Sequence, residues 1–225
     1  AILGILGAIV GLNGYEKSES VVGEYYYKLS PIKVSIQPFY RQPLSKTITG
    51  FNNSSGLASR GTLQIKEQIL VGEPDIKYRV YLKIPGDNKA IYSKLQNRLK
   101  MGASEFPLYF GKNEFFAFHS NYQTYSAEAI SKNSHVNVQS LVRMGEKDKS
   151  ISLKLDSPGK FDPMEIDSEE EYSIYENLPY DFDENGFYKK DVFILTESKI
   201  VVKKSGEFFR LNSESKEGMV NVHFI

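Results

Sequence analysis

The chain has 225 residues, 40% hydrophobic and 25% charged, which is the make-up of a folded protein rather than a low-complexity one. It contains no cysteine, which excludes a disulfide framework, thiol catalysis and thiolate zinc sites, and fits a reducing, cytoplasmic setting. Net charge is zero, yet ten of the 28 acidic residues lie between Asp162 and Glu184, a stretch without Lys or Arg, so the rest carries 28 basic residues against 18 acidic ones. A basic body with one acidic segment suits a polyanion-binding surface with something held off it. It equally suits a neutral protein with one solvated acidic loop. One large domain, or one domain with an insertion, fits this length.

Ala1–Leu12 reads as a buried helix whose Gly4, Gly7, Ala8 and Gly11 allow close packing against a sheet or a neighbouring chain. Asn13-Gly14 is its expected stop. The run is too short to span a bilayer and lacks the charged flank of a signal peptide, so no membrane partner is expected. It opens in mid-helix without an initiator Met, and the expectation is that the chain begins upstream of Ala1. Val21–Leu29, rich in Tyr, reads as a short helix or an extended segment. Ile32–Gln37 alternates as a half-buried strand.

From Ser30 to Lys66 there is no acidic residue, and the stretch holds Arg41, Lys46 and Arg60 among Gly, Ser, Thr and Asn. With the strand-like Leu63–Val71 it reads as a long projecting hairpin whose polar, basic make-up suits nucleic acid. Tyr78–Ile84 alternates as a strand, with Tyr78, Val80, Leu82 and Ile84 on one face. Arg79, Tyr81 and Lys83 on the other resemble an RNA-binding sheet surface. Lys89–Lys100 is a basic amphipathic helix with Ile91, Tyr92, Leu95 and Leu99 on its apolar face, Asp87 or Asn88 as its cap and Gly102 as its end.

The stretch Glu105–Phe118, EFPLYFGKNEFFAF, follows. Phe106–Phe110 and the aromatic run Phe115, Phe116, Phe118 read as two strands joined at Gly111. Lys112 and Asn113 place a charge and an amide where a phosphate could approach. Tyr122–Lys132 reads as a connection or short helix, and Val136–Val142 and Ile151–Leu155 as strands. After the acidic segment, Val192–Leu195, Lys199–Lys203, Glu207–Leu211 and Met219–Ile225 form a closing antiparallel set. The order specifies an α+β architecture with mostly antiparallel pairing.

Asp181–Gly186 opens like an EF-hand loop, but position twelve is Val192, so a turn at Asn185-Gly186 is expected and no metal site. His119, His135 and His223 show no metal-ligand spacing. His119, eight residues after Gly111, is the histidine best placed for general acid–base cleavage of RNA. No phosphate-binding Walker loop, dinucleotide fingerprint or nucleophile elbow occurs, and no cofactor is expected.

Two of these stretches carry a resemblance. LYFGKNEFFA (Leu108–Ala117) resembles the glycine motif of the Cas-five family, RAMP-superfamily proteins of type I CRISPR systems, and AILGILGAIVGLNG (Ala1–Gly14) is similar to that family's first helix. The two lie in the family's order, with fair matches around Leu63–Ile84 and at Val220–Ile225. The acidic segment 162–184 has no counterpart and reads as an insertion. The resemblance implies a single ferredoxin-like, RRM-type domain lacking its first strand, a protruding β-hairpin thumb at 41–66 and a C-terminal β extension. It implies a non-catalytic subunit of the Cascade surveillance complex that holds the 5′ handle of the crRNA and joins the backbone and large subunits, meeting target DNA only through the complex. Its implied RNA contacts are Arg41, Lys46, Asn52, Asn53, Arg60 and Lys66 on the thumb and Gly111, Lys112 and Asn113 on the glycine motif. One branch of the family cleaves pre-crRNA with Tyr, Lys and His, so a metal-independent endoribonuclease is the alternative reading. An RNA-independent interaction module is the second.

Overall fold

The computed structural model describes residues 1–14, 21–39, 45–53, 63–71, 76–87, 89–111, 115–144, 151–153, 172–197, 199–202, 206–213 and 218–225. These form an α+β structure in which helices are few and sheets mostly antiparallel, and the chain divides into two compact units: residues 37–79, and everything else.

In the larger unit, helix α1 (Ile2–Val10) ends at Gly11, which takes the left-handed conformation (φ 79°) that favours glycine, three residues before the Gly14 expected to end it. The Lys94 ammonium donates to the Val10 carbonyl at 2.8 Å, placing a cation at the negative end of the helix dipole. The small face of α1 has a specific partner within the chain. A methyl group added at Gly7 would overlap the Cβ of Tyr25 in helix α2 (Glu24–Leu29), so α2 sits directly on the glycine stripe. Helix α3 (Ala90–Met101) buries Tyr92 and Leu95 and ends at Gly102, as its periodicity requires. Its N-cap is Lys89 with no side-chain cap bond, in place of an Asp87 cap, because Asp87 ion-pairs with Lys89 instead; Asn88 lies outside the described residues. Leu6, Ile9, Val10, Leu29, Tyr92, Leu95, Leu108 and Ala117 close into the helical core.

Strand β1 (Lys33–Pro38) pairs with β4 (Tyr78–Lys83). Tyr81 is 4% exposed, packed with Phe209, Leu211, Val222 and Phe224, and the Lys83 ammonium lies 4.0 Å from the Phe209 ring centre. The Arg79-Tyr81-Lys83 face is therefore not an open RNA platform. Leu82 and Ile84 pack against the helical core, while Val80 and Lys83 remain exposed.

Beyond the helices the chain builds a nested ladder. β7 (Tyr125–Ala129) pairs with β14 (Phe208–Ser213), β8 (His135–Asn137) with β13 (Lys199–Val202), and β9 (Val142–Arg143) with β12 (Tyr188–Thr196), all antiparallel. β15 (Met219–His223), β10 (Ile151–Leu153) and β11 (Tyr172–Phe182) add the third strand to each sheet. Ile130, Val136, Val142, Ile194, Ile200, Val202 and Phe208 form the core beneath.

Three expectations are corrected here. Tyr122–Lys132 is neither connection nor helix but carries β7, formed by pairing with the buried β14 rather than by local propensity. Val136–Val142 is two strands, because its backbone changes partners: Gln139 donates to Asn221 and Leu141 to Ile36 between the β13 and β12 pairings. The acidic stretch is no mere loop. Its part from Tyr172 onward is the eleven-residue strand β11, and residues 162–171 lie outside the described residues.

In the smaller unit, β2 (Ser45–Asn53) and β3 (Leu63–Val71) form one antiparallel ribbon with unbroken register from Ser45↔Val71 to Asn53↔Leu63. The two strands pair within the stretch read as a hairpin, whose residues 41–44 and 54–62 lie outside the described residues.

Candidate nucleic-acid interface

The ribbon register fixes which predicted contacts share a face. Because residues alternate along a strand, positions 46, 48, 50 and 52 and their partners 70, 68, 66 and 64 lie on one face. Register positions 46, 52 and 66 belong to that set, at separate rungs: 46 opposite Leu70, 66 opposite Gly50 and 52 opposite position 64. Asn53, opposite Leu63, falls on the other, which also carries Glu67. Lys66 is exposed, as are Ser45, Thr47, Ile48, Thr49 and Gly50. Arg41 and Arg60 lie outside the described residues. At the base of the same unit Phe39 donates its N–H to the Lys77 carbonyl at 3.1 Å, and the Arg79 guanidinium sits 5.1 Å from the centre of the exposed Phe39 ring. Neither Phe39 nor this cation–aromatic pair was among the sequence-derived contacts.

The second candidate element, in the larger unit, is the glycine hairpin. β5 (Leu108–Tyr109) pairs with β6 (Phe116–Ala117) as Leu108↔Ala117 and Tyr109↔Phe116, and Phe110 donates to the Phe115 carbonyl at 2.8 Å. Gly111 has φ 81° with open space where a Cβ would stand, so the turn needs glycine for its backbone and not for room. Lys112 and Asn113 lie outside the described residues. The base of the hairpin is tied to α1: Glu105 donates to the Ile9 carbonyl at 3.2 Å and Phe106 to the Ala8 carbonyl at 3.1 Å. Arg98 on α3 holds the Glu105 carboxylate.

Leu108 and Ala117 face the core, which obliges their neighbours Tyr109 and Phe116 to face solvent. Tyr109 is 44% exposed, Phe116 66% and Phe118 92%, with Phe106 and Phe115 also exposed. Sequence reading took these rings as strand formers. The signal that could have separated them was the small Ala117, which marks the only core-facing slot in the second run.

The histidines are dispersed. His119 Nε2 donates to the Ala103 carbonyl at 3.3 Å, leaving Nδ1 as its one basic nitrogen. His135 is exposed on β8. His223 is buried, stacked on Phe208 at 4.5 Å, with Nδ1 accepting from the Arg143 N–H at 3.3 Å. Among the described residues no three His, Asp or Glu are grouped to hold a metal ion. The Asp183 carboxylate turns onto its own backbone, accepting from the N–H groups of Asn185 and Phe187 at 2.9 and 2.8 Å, the expected turn. No helix among the described residues is long and apolar enough to cross a membrane. Comparison with protein-family models, with curated proteins and with solved structures gives no match.

Proposed function

We propose that this chain is a non-catalytic, RNA-binding subunit of a type I CRISPR surveillance complex, a cytoplasmic Cascade component with a ferredoxin-like body and a β-hairpin thumb that binds the 5′ handle of the crRNA. The observation that carries the reading is the β2–β3 ribbon, in a unit of its own, with Lys66 exposed and positions 46 and 52 in the same register set. Cations and amides along an extended ribbon match a phosphate backbone in charge and repeat. The resemblance of Leu108–Ala117 to the family's glycine motif adds a second strand–glycine–strand element, and Gly111 does adopt a left-handed turn there. The backbone and large subunits are its proposed protein partners, and target DNA is met only within the assembly. Arg41, Asn53, Arg60, Gly111, Lys112 and Asn113 complete the proposed RNA contacts.

The decisive experiment is affinity capture of the chain from its native host, with RNA sequencing and mass spectrometry on one sample. Short RNAs sharing a single repeat-derived 5′ end, together with several CRISPR subunits, are the expected result. Random RNA, or none, with unrelated proteins overturns the reading. Repeat RNA cut in EDTA by the wild type and left whole by His119→Ala would instead establish the endoribonuclease alternative.

A further inference from the structure

The β5–β6 hairpin spends aromatic residues on solvent. Two side chains, Leu108 and Ala117, anchor it in the helical core, while Tyr109 and Phe116 form a cross-strand pair on the outer face and Phe118 follows almost fully exposed. Exposed rings this closely grouped mark a contact surface. Their kind and surroundings say which contact. The grouping contains no exposed Leu, Ile or Val; it consists of flat rings, and cross-strand neighbours on an antiparallel pair stand about 5 Å apart, so the pair offers a shelf the width of one base. The neighbouring helix α3 carries no acidic residue. Of its cations Lys94 donates to the Val10 carbonyl and Arg98 is paired with Glu105, the carboxylate that precedes the hairpin, while Lys100 is exposed beside the Tyr122 ring. Rings in a setting with an exposed cation and no free carboxylate on the adjacent helix complement unpaired nucleotides, whose bases stack while their phosphates meet charge.

We infer that Tyr109, Phe116 and Phe118 form a stacking shelf for unpaired bases, with Lys100 at the end of α3 as the cation for an adjoining phosphate. The inference rests on the RNA-binding reading above and adds to it the form of ligand: single-stranded, splayed-out nucleotides, bound through ring faces independently of the thumb cations.

The chain contains no Trp, so Phe116→Trp and Phe118→Trp each install a single reporter at an exposed position that leaves the core untouched. The probes are fluorescein-labelled 12-nucleotide oligo(A) and oligo(U) RNA and a 12-base-pair RNA duplex, titrated against the full chain. The expected results are quenching of the tryptophan by the single strands and not by the duplex, and a loss of roughly ten-fold or more in single-strand affinity for Phe116→Ala/Phe118→Ala. Because stacking releases no counterions, that variant keeps the wild-type slope of log affinity against log salt, whereas Lys46→Ala/Lys66→Ala flattens it. Single strands that bind wild type and the Phe116→Ala/Phe118→Ala variant equally overturn the shelf and leave the RNA-binding reading standing. Failure of the wild type to bind any of the three probes overturns both. Loss of self-association in the Phe116→Ala/Phe118→Ala variant, with RNA affinity unchanged, reassigns the rings to a protein contact and also overturns the shelf.

Discussion

The molecule has two long antiparallel ribbons, and they are stabilised in opposite ways. β2–β3 keeps an unbroken register over nine strand positions within a unit of its own. β11–β12 slips register twice, between Tyr175 and Leu178 and between Pro179 and Asp181, with Asn177 in a left-handed conformation (φ 57°) at the first bulge. The regular ribbon has only its own ladder among the described pairings, and a lone two-stranded ribbon is marginal in water. The irregular ribbon is tied down along its length. β9 adds a third strand. Arg143 Nε donates to Asp191 Oδ2 at 2.6 Å while its guanidinium lies 3.6 Å from the Tyr180 ring centre. Farther along, Phe182 stacks on Tyr188 and meets Tyr26 edge-on, and the Tyr26 hydroxyl donates to Asp181. Regularity and anchorage are therefore separate properties: the bulged ribbon is tied into a larger sheet, and the regular one has its own ladder alone.

Arg143→Met strikes the anchored ribbon hardest. The Asp191 side chain is 5% exposed, and losing its cation strands a buried carboxylate, so urea denaturation should register a loss of about 2–3 kcal/mol. Gly7→Ala comes next. Helix propensity alone predicts a gain of about 1 kcal/mol, but the methyl overlaps Tyr25 on the helix that carries Tyr26. Overpacking of this kind costs about 1–3 kcal/mol, so a net loss near 1 kcal/mol is expected in the same assay; a gain would mean α2 yields freely.

A smaller effect concerns pH. Burial works to raise the Asp181 carboxyl, but hydrogen bonds from the Tyr26 hydroxyl and the Phe182 N–H, with the Lys189 ammonium, outweigh it and hold the carboxyl below its ordinary 3.8. Burial and the Asp181 carboxylate push the Tyr26 phenol above its ordinary 10.0. The depressed carboxyl contributes stability above pH 3.8 that is lost as pH falls through its folded value; the raised phenol contributes stability below pH 10.0 that is lost as pH rises through its own. Tyr26→Phe should flatten both limbs of a stability–pH curve, and a curve unchanged at both ends would show that the contact carries no linkage. Least of all should the body notice the other ribbon. Ladder bonding alternates, so one of Ile48→Pro and Thr49→Pro removes a β2–β3 bond. That variant should lose hydrogen-exchange protection in the ribbon while the unfolding free energy of the larger unit changes by less than about 0.5 kcal/mol.

What the sequence displayed was the part set by local periodicity. Tyr92 and Leu95 on α3, the strand within Tyr78–Ile84 and the strand–glycine–strand at Gly111 follow spacing rules that need no tertiary knowledge. The rest depended on partners. Tyr125–Ala129 holds small and polar residues with no strand signature, and only β14 makes it a strand. In Tyr172–Phe182 the density of carboxylates drew attention from the alternation of Tyr172, Ile174, Leu178, Tyr180 and Phe182. Tyr81 looked like a stacking residue because nothing in β4 announces that Phe209 and Val222, well over a hundred residues later, will cover it. For the candidate site, the thumb residues were legible as composition, whereas the division of Lys46, Asn52 and Lys66 from Asn53 required the register. The exposure of Phe116 and Phe118 required knowing which way Ala117 faces.

The nesting of β7, β8 and β9 on β14, β13 and β12 also constrains the order of events when the chain collapses. Joining Arg143 to Phe193 closes the innermost loop, and each outer pair then closes at little extra entropy, because closure cost grows only logarithmically with length. The rate-limiting step should therefore lie at the inside of the nest. Truncations at Val142 or Ile194 should slow folding, whereas truncation of Leu211 should chiefly hasten unfolding, the two arms of a chevron plot separating the cases.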